Sequence, residues 1–169
     1  MQPTNKQEEF LSLIDQNKGA IIKVSSLYTR RKEEKDDLFQ EIIIQLWKAW
    51  PNFKGQSKVS TWLYRIALNT AISGLRKKKT SIIYVDGQEL PHISDQDDHK
   101  EKEEKLKSLY DAIYQLPEID RAIVLLYLED KSYEEMEDIL GINQGTLRVK
   151  MNRAKEKLKK TIQTMAYGA

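Results

Sequence analysis

The apolar residues in the first part of the chain recur three and four positions apart, which is the spacing of amphipathic helices. Between residues 8 and 28 this spacing is interrupted at Gly19, so the pattern predicts two short helices with a turn at that glycine. The next helix is predicted to begin at Asp36 or Asp37, because aspartate caps helices well, and to end at Ala49. Its core stripe is predicted to be Leu38, Ile42, Leu46 and Ala49.

A loop begins at Pro51, and a longer helix is predicted from Ser60 or Thr61 to about Lys78. Trp62 opens this helix beside the loop. The inward face is predicted to hold Leu63, Ile66, Ala67 and Thr70. Four polar residues recur four, four and three positions apart and therefore share the outward face, namely Arg65, Asn69, Ser73 and Arg76.

Residues 80 to 99 lose the helical spacing and gather glycine, proline, serine and acidic residues, which is typical of a flexible linker. The chain is therefore predicted to be all-α. Two small helical domains, at residues 1–79 and 100–169, are expected on either side of this acidic linker.

The second domain is predicted to contain a helix-turn-helix. A helix from about Lys100 ends before Pro117, which suits the first turn of the next helix. A short amphipathic helix at residues 133 to 140 follows, after which Gly141 permits a sharp turn and Asn143 can cap the last helix. That order is typical of the motif. The apolar faces of the first two helices are predicted to hold Leu106, Leu109, Tyr110 and Ile113, and then Ile119, Ile123, Leu126 and Tyr127.

The formal net charge of +2 hides separate acidic and basic blocks. No acidic residue occurs between Glu41 and Asp86, and the segment up to residue 79 mixes cations with aromatic rings. Phosphates attract cations and unpaired bases stack on flat apolar faces, so this segment suits a single nucleic acid strand. An ordinary helical hairpin with core aromatics and solvated lysines is the alternative. The candidate strand-binding residues are Phe53, Lys58, Trp62, Arg65, Asn69, Arg76, Lys77, Lys78 and Lys79.

The last helix carries a second basic face. With its apolar residues packed inward, one polar face holds Gln144, Arg148, Asn152 and Lys155, flanked by Lys150 and Arg153. A helix placed in the major groove of a DNA duplex can bring Arg148 to guanine edges, while lysines suit phosphates. A plain helical hairpin with a basic last helix is the alternative.

Enzymatic chemistry is not expected from this composition. The chain has no cysteine, which removes disulfides and thiolate catalysis and fits a reducing cytoplasm. Its two histidines, His92 and His99, lie in the acidic linker, without a paired metal motif or a phosphate-binding glycine loop. No cofactor, no signal peptide and no membrane-inserted segment is expected.

Four motifs, taken in order, resemble bacterial RNA polymerase sigma factors of the extracytoplasmic-function type. They are DLFQE at residues 37–41, STWLYRIALN at residues 60–69, LPEIDRAIVLLYLED at residues 116–130 and YEEMEDILGINQGTLRVKMNRAKEKL at residues 133–158. The resemblance implies a subunit that binds core RNA polymerase, recognises promoter DNA with both domains and promotes strand opening. A free-standing helix-turn-helix regulator with an N-terminal sensing or dimerisation domain is the alternative.

The resemblance also implies a role for particular residues. Asp37, Gln40 and Glu41 match positions that contact the polymerase. Asn69 matches the asparagine that reads a flipped base of the unpaired strand, with the loop at residues 53–58 as the pocket wall. In the second domain the resemblance assigns duplex reading to Arg148, Lys150, Asn152 and Arg153. Sigma factors of this type are commonly held by an anti-sigma protein, which makes one a candidate partner.

The chain departs from the family pattern at three places. Ser73 stands where an aspartate is usual, and Glu137 stands where a small alanine commonly packs under the recognition helix. Gly145 is expected to make room for Glu137. Arg148, Val149 and Lys150 replace the commoner lysine, serine, arginine order, so the promoter sequence is not transferable.

Overall fold

The computed structural model describes the backbone of residues 4–81 and 100–167 and the side chains of residues 4–77 and 104–166. Within these ranges every regular element is a helix, which confirms the predicted all-α fold. The chain divides into two compact units, Met1–Asp86 and Gly87–Ala169. Of the predicted linker only Thr80 and Ser81 are described, and both continue a helix, so the remaining linker residues lie outside the described part. The predicted domain limits stay a prediction.

Three helices build the first unit: α1 (Asn5–Tyr28), α2 (Lys32–Ala49) and α3 (Val59–Ser81), with a 3-10 turn at Trp50–Asn52. Each of the three packs against the other two. Their buried faces meet in one apolar core, as the helical spacing requires. Its most deeply buried members include Ile21, Val24, Leu27, Ile42, Leu46, Leu63, Ala67 and Leu68.

The predicted turn at Gly19 was wrong, because α1 runs through that glycine without a break. The side-chain amide of Asn17 donates to the carbonyl oxygen of Leu13, one turn earlier in the same helix, at 2.8 Å. A glycine inside a helix costs about 1 kcal/mol relative to alanine. The burial of Phe10 and Leu13 before it and of Ile21 after it offsets that cost.

Two predicted helix starts were also wrong. Helix α2 begins at Lys32, and its N-cap residue, Arg31, makes no side-chain capping bond. The first-turn acids Glu33 and Glu34 instead provide negative charge beside the helix N-terminus. Helix α3 begins at Val59, so Thr61 lies inside it and is buried rather than capping it.

The second unit contains α4 (Lys100–Tyr114), α5 (Glu118–Leu128), α6 (Tyr133–Leu140) and α7 (Gln144–Tyr167). Helix α7 packs against each of the other three. Pro117 is the residue just before α5, and its carbonyl oxygen accepts the N–H of Arg121 at 3.0 Å. Two predicted core residues, Leu106 and Tyr127, are 54% and 40% exposed, so their assignment to the core was wrong.

The turn between α6 and α7 confirms the predicted helix-turn-helix. Gly141 adopts φ +71°, the left-handed conformation in which glycine carries no steric penalty, and it ends α6. Asn143 Oδ1 accepts the N–H of Thr146 at 2.8 Å, as expected of an N-cap residue. The two helices of the motif are thus separated by three residues, of which Gly141 ends the first helix and Asn143 caps the second.

Candidate nucleic-acid interface

Five aromatic rings form a continuous cluster across the first unit. The ring of Phe53 lies 4.8 Å from that of Trp62, and Trp50 lies 5.9 Å from Trp62, measured between ring centroids. Trp50 also contacts Phe10, which in turn packs edge-on against Trp47 at 4.9 Å. The cluster therefore ties α1, the end of α2 and the loop before α3 to the start of α3.

Trp62 was expected to offer its face to a base, but it is only 8% exposed. Its ring lies beneath the loop, in contact with Phe53 and Trp50. Phe53 is half-buried and stands at the beginning of that loop. Trp62 is therefore a packing residue that supports the loop. The sequence alone showed only an aromatic residue close to several cations, because it does not reveal which rings pack together.

A glycine in the left-handed conformation and two hydrogen bonds define the loop from Phe53 to the start of α3. Gly55 adopts φ +75°, and the side chain of Gln56 accepts the backbone N–H of Lys54 at 3.1 Å. The carbonyl oxygen of Lys58 accepts the N–H of Trp62 at 3.1 Å, which joins the loop to α3. The side chain of Lys58 is exposed. The backbone of Lys58 is thereby joined to α3, while its ammonium group is open to solvent.

The predicted outward face of α3 is exposed at all four of its positions, Arg65, Asn69, Ser73 and Arg76. The eleven steps from Arg65 to Arg76 cover about 17 Å at 1.5 Å per residue. Lys77 is exposed as well, whereas the side chains of Lys78 and Lys79 lie outside the described residues. Since no acidic residue occurs in α3, this face carries only positive formal charge.

The three predicted polymerase-contacting residues lie exposed on α2. Asp37 and Glu41 line a groove of about 260 Å³ together with Gly74 and Leu75 of α3. Glu41 Oε1 also accepts a hydrogen bond from the amide of Gln45 at 2.9 Å. Gln40 stands between the two carboxylates in sequence. These positions combine two negative charges with an amide on the solvent side of α2.

An apolar patch lies farther along α2 and was missed by sequence reasoning. Ile44 and Trp47 are 45% and 41% exposed, and they line a groove of about 510 Å³ with Leu11 of α1. The sequence did contain a signal for this patch, because Ile44 is an apolar residue that falls outside the predicted core stripe of α2. The patch lies one to two turns beyond Glu41 on the same helix.

In α7 the structure separates the predicted duplex-contacting residues into two groups. Arg148, Asn152, Arg153 and Lys155 are exposed, and Gln144 is half-buried. Lys150 differs in having an acidic neighbour, because its Nζ lies 3.9 Å from a carboxylate oxygen of Asp120 in α5. Its side chain is nevertheless 41% exposed, so this ion pair lies at the surface.

Two of the exposed cations rest on tyrosine rings. The guanidinium carbon of Arg148 lies 4.9 Å from the ring centroid of Tyr133, at the start of α6. Lys155 Nζ lies 4.4 Å from the ring centroid of Tyr127 and donates to its hydroxyl at 3.1 Å. These contacts hold both side chains in defined positions on the exposed face of α7.

Two further residues of the helix-turn-helix, both departures from the family pattern, have surroundings that the sequence did not predict. Val149 is 48% exposed beside Arg148, where an apolar side chain can contact a thymine methyl group. Glu137 was expected to pack under α7 with room made by Gly145. Instead its Oε2 accepts the backbone N–H of Gln144 at 3.0 Å, and a Cβ at Gly145 would meet only Asn143 Oδ1, at 3.5 Å.

Within the described part of the chain, no group of three or more histidine, aspartate and glutamate side chains is placed to hold a metal ion. None of the described helices is both long and apolar enough to span a membrane.

The two units thus define a helical, DNA-binding class of protein, with a basic face on α3 in one and a helix-turn-helix in the other. Comparison with known families agrees with each half. Residues 13–80 match the family Sigma-70 region 2, and residues 106–158 match the family Sigma-70, region 4.

Sequence relatives share both halves in the same order. The chain is 34% identical over 157 residues to the ECF RNA polymerase sigma-E factor of Haemophilus influenzae. The aligned region covers 85% of this chain and 83% of that protein. It is 33% identical to the sigma-E factor of Escherichia coli strain K12, over 85% of this chain and 82% of that protein.

Solved structures share the fold. The structure of CnrH in complex with the cytosolic domain of CnrY superposes with a TM-score of 0.67 at 19% identity, covering 94% of this chain and 90% of that one. The sigma factor RpoE in complex with the anti-sigma factor NepR, from Bartonella quintana, gives a TM-score of 0.66 at 21% identity, covering 92% and 95%.

The chain therefore belongs to the ECF family of RNA polymerase sigma factors. It is a transcription initiation factor whose partners are core RNA polymerase and promoter DNA. The alternative of a free-standing helix-turn-helix regulator is not supported.

Proposed function

We propose a division of labour between three surfaces of this sigma factor. Asp37, Gln40 and Glu41 on α2 bind core RNA polymerase. The outward face of α3 and the loop before it hold the unpaired promoter strand, and the exposed face of α7 reads a duplex element. The observation that carries this proposal is the contrast on the first unit between exposed carboxylates on α2 and an acid-free, exposed face on α3.

The charge of each face supports its proposed partner. A DNA strand is repelled by carboxylates, so Asp37 and Glu41 suit a protein surface that carries arginine or lysine. The exposed Ile44 and Trp47 extend the same side of α2 with apolar area, which is typical of protein interfaces. The polymerase-binding face is therefore placed on α2 rather than on α3.

Strand opening needs a site that compensates for unstacking. Flipping a base out of the duplex costs a few kcal/mol. A base stacked on an aromatic face returns roughly 1 to 3 kcal/mol, and the amide of Asn69 can hydrogen-bond to a base edge. Phe53, in the loop before α3, is the half-buried aromatic residue proposed to stack on a base, and the ring of Trp62 packs against it. Lys58, Arg65, Arg76 and Lys77 to Lys79 supply cations for phosphates.

Duplex recognition is assigned to α7. Arg148 and Asn152 are one turn apart and exposed, so both can face base edges in a major groove. Arg153 and Lys155 suit phosphates. Lys150, whose side chain is 41% exposed beside Asp120, is assigned to the duplex with them.

The remaining roles follow from this mode of action. The chain acts by binding and contributes no catalytic group, and it works in the cytoplasm, where bacterial polymerase and promoters are found. One solved structure with this fold contains an anti-sigma factor, NepR, and another contains the cytosolic domain of CnrY. An anti-sigma protein is accordingly a proposed third partner.

Capture of the full chain by immobilised core polymerase tests the central assignment. Reversing both carboxylates, Asp37→Lys with Glu41→Lys, is expected to abolish capture. The matched control reverses Glu33 and Asp36, which are exposed on the same helix and give the same change in charge. Capture that falls equally in both double variants would show a general charge effect and contradict the proposal.

A further inference from the structure

Glu137 bonds to both sides of the turn between α6 and α7. Its main-chain carbonyl oxygen accepts the N–H of Gly141 at 2.8 Å. Its side-chain Oε2 accepts the N–H of Gln144, the first residue of α7, at 3.0 Å. One residue therefore fixes both the end of α6 and the beginning of α7.

The side-chain bond differs in kind from the ordinary cap of α7. Asn143 caps from the residue just before the helix and moves with it, by accepting the N–H of Thr146. Glu137 belongs to the preceding helix, seven residues away in sequence. Its bond therefore restrains the N-terminus of α7 relative to α6, which the Asn143 bond does not do.

The chemistry of this contact favours a firm restraint. A carboxylate that accepts a backbone N–H makes a charge-assisted hydrogen bond, which is stronger than a neutral one. Negative charge near a helix N-terminus is also favourable to the helix dipole. Glu137 is half-buried, so solvent screens the contact less than it would on an open surface.

We propose that Glu137 is a positioning residue for promoter recognition, one that holds the N-terminus of α7 where Arg148 and Asn152 can reach base edges. The inference rests on the proposed function of α7 as the duplex reader. Arg148 lies four residues beyond Gln144, one helical turn from the restrained N–H. Base-edge contacts tolerate about 0.5 Å of misplacement, so loss of the restraint lowers sequence discrimination more than it lowers phosphate binding.

The test uses full-length chain reconstituted with core polymerase. A duplex element is first selected from a random promoter pool by the wild-type holoenzyme, and binding to it is compared with binding to its single-base variants. Glu137→Ala is expected to lower this discrimination by roughly threefold to tenfold, the value of one hydrogen bond. Glu137→Gln keeps an acceptor oxygen and is expected to stay within about twofold of wild type. Glu134→Ala, an exposed acid on the same helix, is the control for charge and is expected to match wild type.

Thermal unfolding of each variant separates positioning from stability. Lowered stability with unchanged discrimination in Glu137→Ala would make the residue merely structural and overturn the inference. An equal loss in Glu134→Ala would also overturn it, since the effect would then be one of charge.

A shortened side chain gives a second route. Glu137→Asp keeps the charge but reaches one methylene less far, so reduced discrimination in this variant supports the inference even if Glu137→Ala does not fold, and unchanged discrimination overturns it. A wild-type holoenzyme that prefers no duplex element would refute the proposed function itself, and this inference with it.

Discussion

The guanidinium group of Arg148 lies over the ring of Tyr133, with 4.9 Å between the guanidinium carbon and the ring centroid. Tyr133 begins α6 and Arg148 lies in the second turn of α7, so the contact spans the helix-turn-helix. A cation–π contact at an exposed site contributes about 0.5 to 1 kcal/mol. The proposed base-reading side chain is thereby ordered before DNA arrives.

Replacement of Tyr133 by leucine should weaken duplex binding. The lost contact corresponds to roughly a twofold to fivefold lower affinity, since 1.4 kcal/mol is a factor of ten. Tyr133→Phe keeps the aromatic face and should bind like wild type. Titration of the selected promoter duplex with each holoenzyme measures the effect. Equal loss in both variants would mean that the hydroxyl group, not the ring, is what matters.

Arg148→Ala should relax specificity at one base pair. A bidentate contact to guanine is worth about 1 to 3 kcal/mol of discrimination against the wrong base. Lys157→Ala, an exposed cation farther along α7, should instead weaken all sequences alike and reduce the salt dependence of binding. Affinities across single-base variants at several salt concentrations distinguish the two patterns. A uniform loss in Arg148→Ala would identify a phosphate contact.

Asn69→Ala should impair promoter opening while leaving polymerase binding intact, because Asn69 faces solvent on α3 and away from the core. Gln16→Ala, at an exposed position of α1 outside that face, is the comparison and should open promoters like wild type. Permanganate reactivity of unpaired thymines measures opening, and capture by core polymerase measures binding. If Asn69→Ala lost both together, the residue would be structural.

Substitutions at Trp62 and Phe53 should affect different properties of the protein, although the two rings are in contact. Trp62→Ala removes a buried ring and should destabilise the first unit by about 3 to 5 kcal/mol, the usual cost for large aromatic residues. Phe53→Leu keeps apolar volume but removes the flat face, so it should reduce promoter opening with a small change in thermal stability. Normal opening by Phe53→Leu would show that no base stacks on this residue.

The second unit was the more predictable half from sequence. Glycine is the residue that adopts the left-handed conformation without a steric penalty, and asparagine is among the best N-cap residues. Gly141 and Asn143 therefore allowed the turn and the start of α7 to be predicted to the exact residue. Gly19 gave the opposite result, since burial on both sides of it outweighed a local preference of about 1 kcal/mol. Local sequence signals determine the structure where the backbone conformation is unusual, and tertiary packing determines it elsewhere.

The site residues follow the same division. The exposure of Arg65, Asn69 and Arg76 could be predicted because helical spacing alone places them on one face. The burial of Trp62 could not, since it depends on rings brought together from three separate segments. The bond from Glu137 to Gln144 was equally hidden, because no helix or strand period relates residues across a turn. Its sequence signal was a carboxylate where a small residue is usual.

Transcription from a pooled library of host promoters by core polymerase, with and without this chain, tests the central claim most directly. New transcripts should appear only when the chain is present. Their promoters should share two separated sequence elements, one read as duplex by α7 and one melted at the start region. Transcript profiles that are identical with and without the chain, across the whole pool, would contradict that claim.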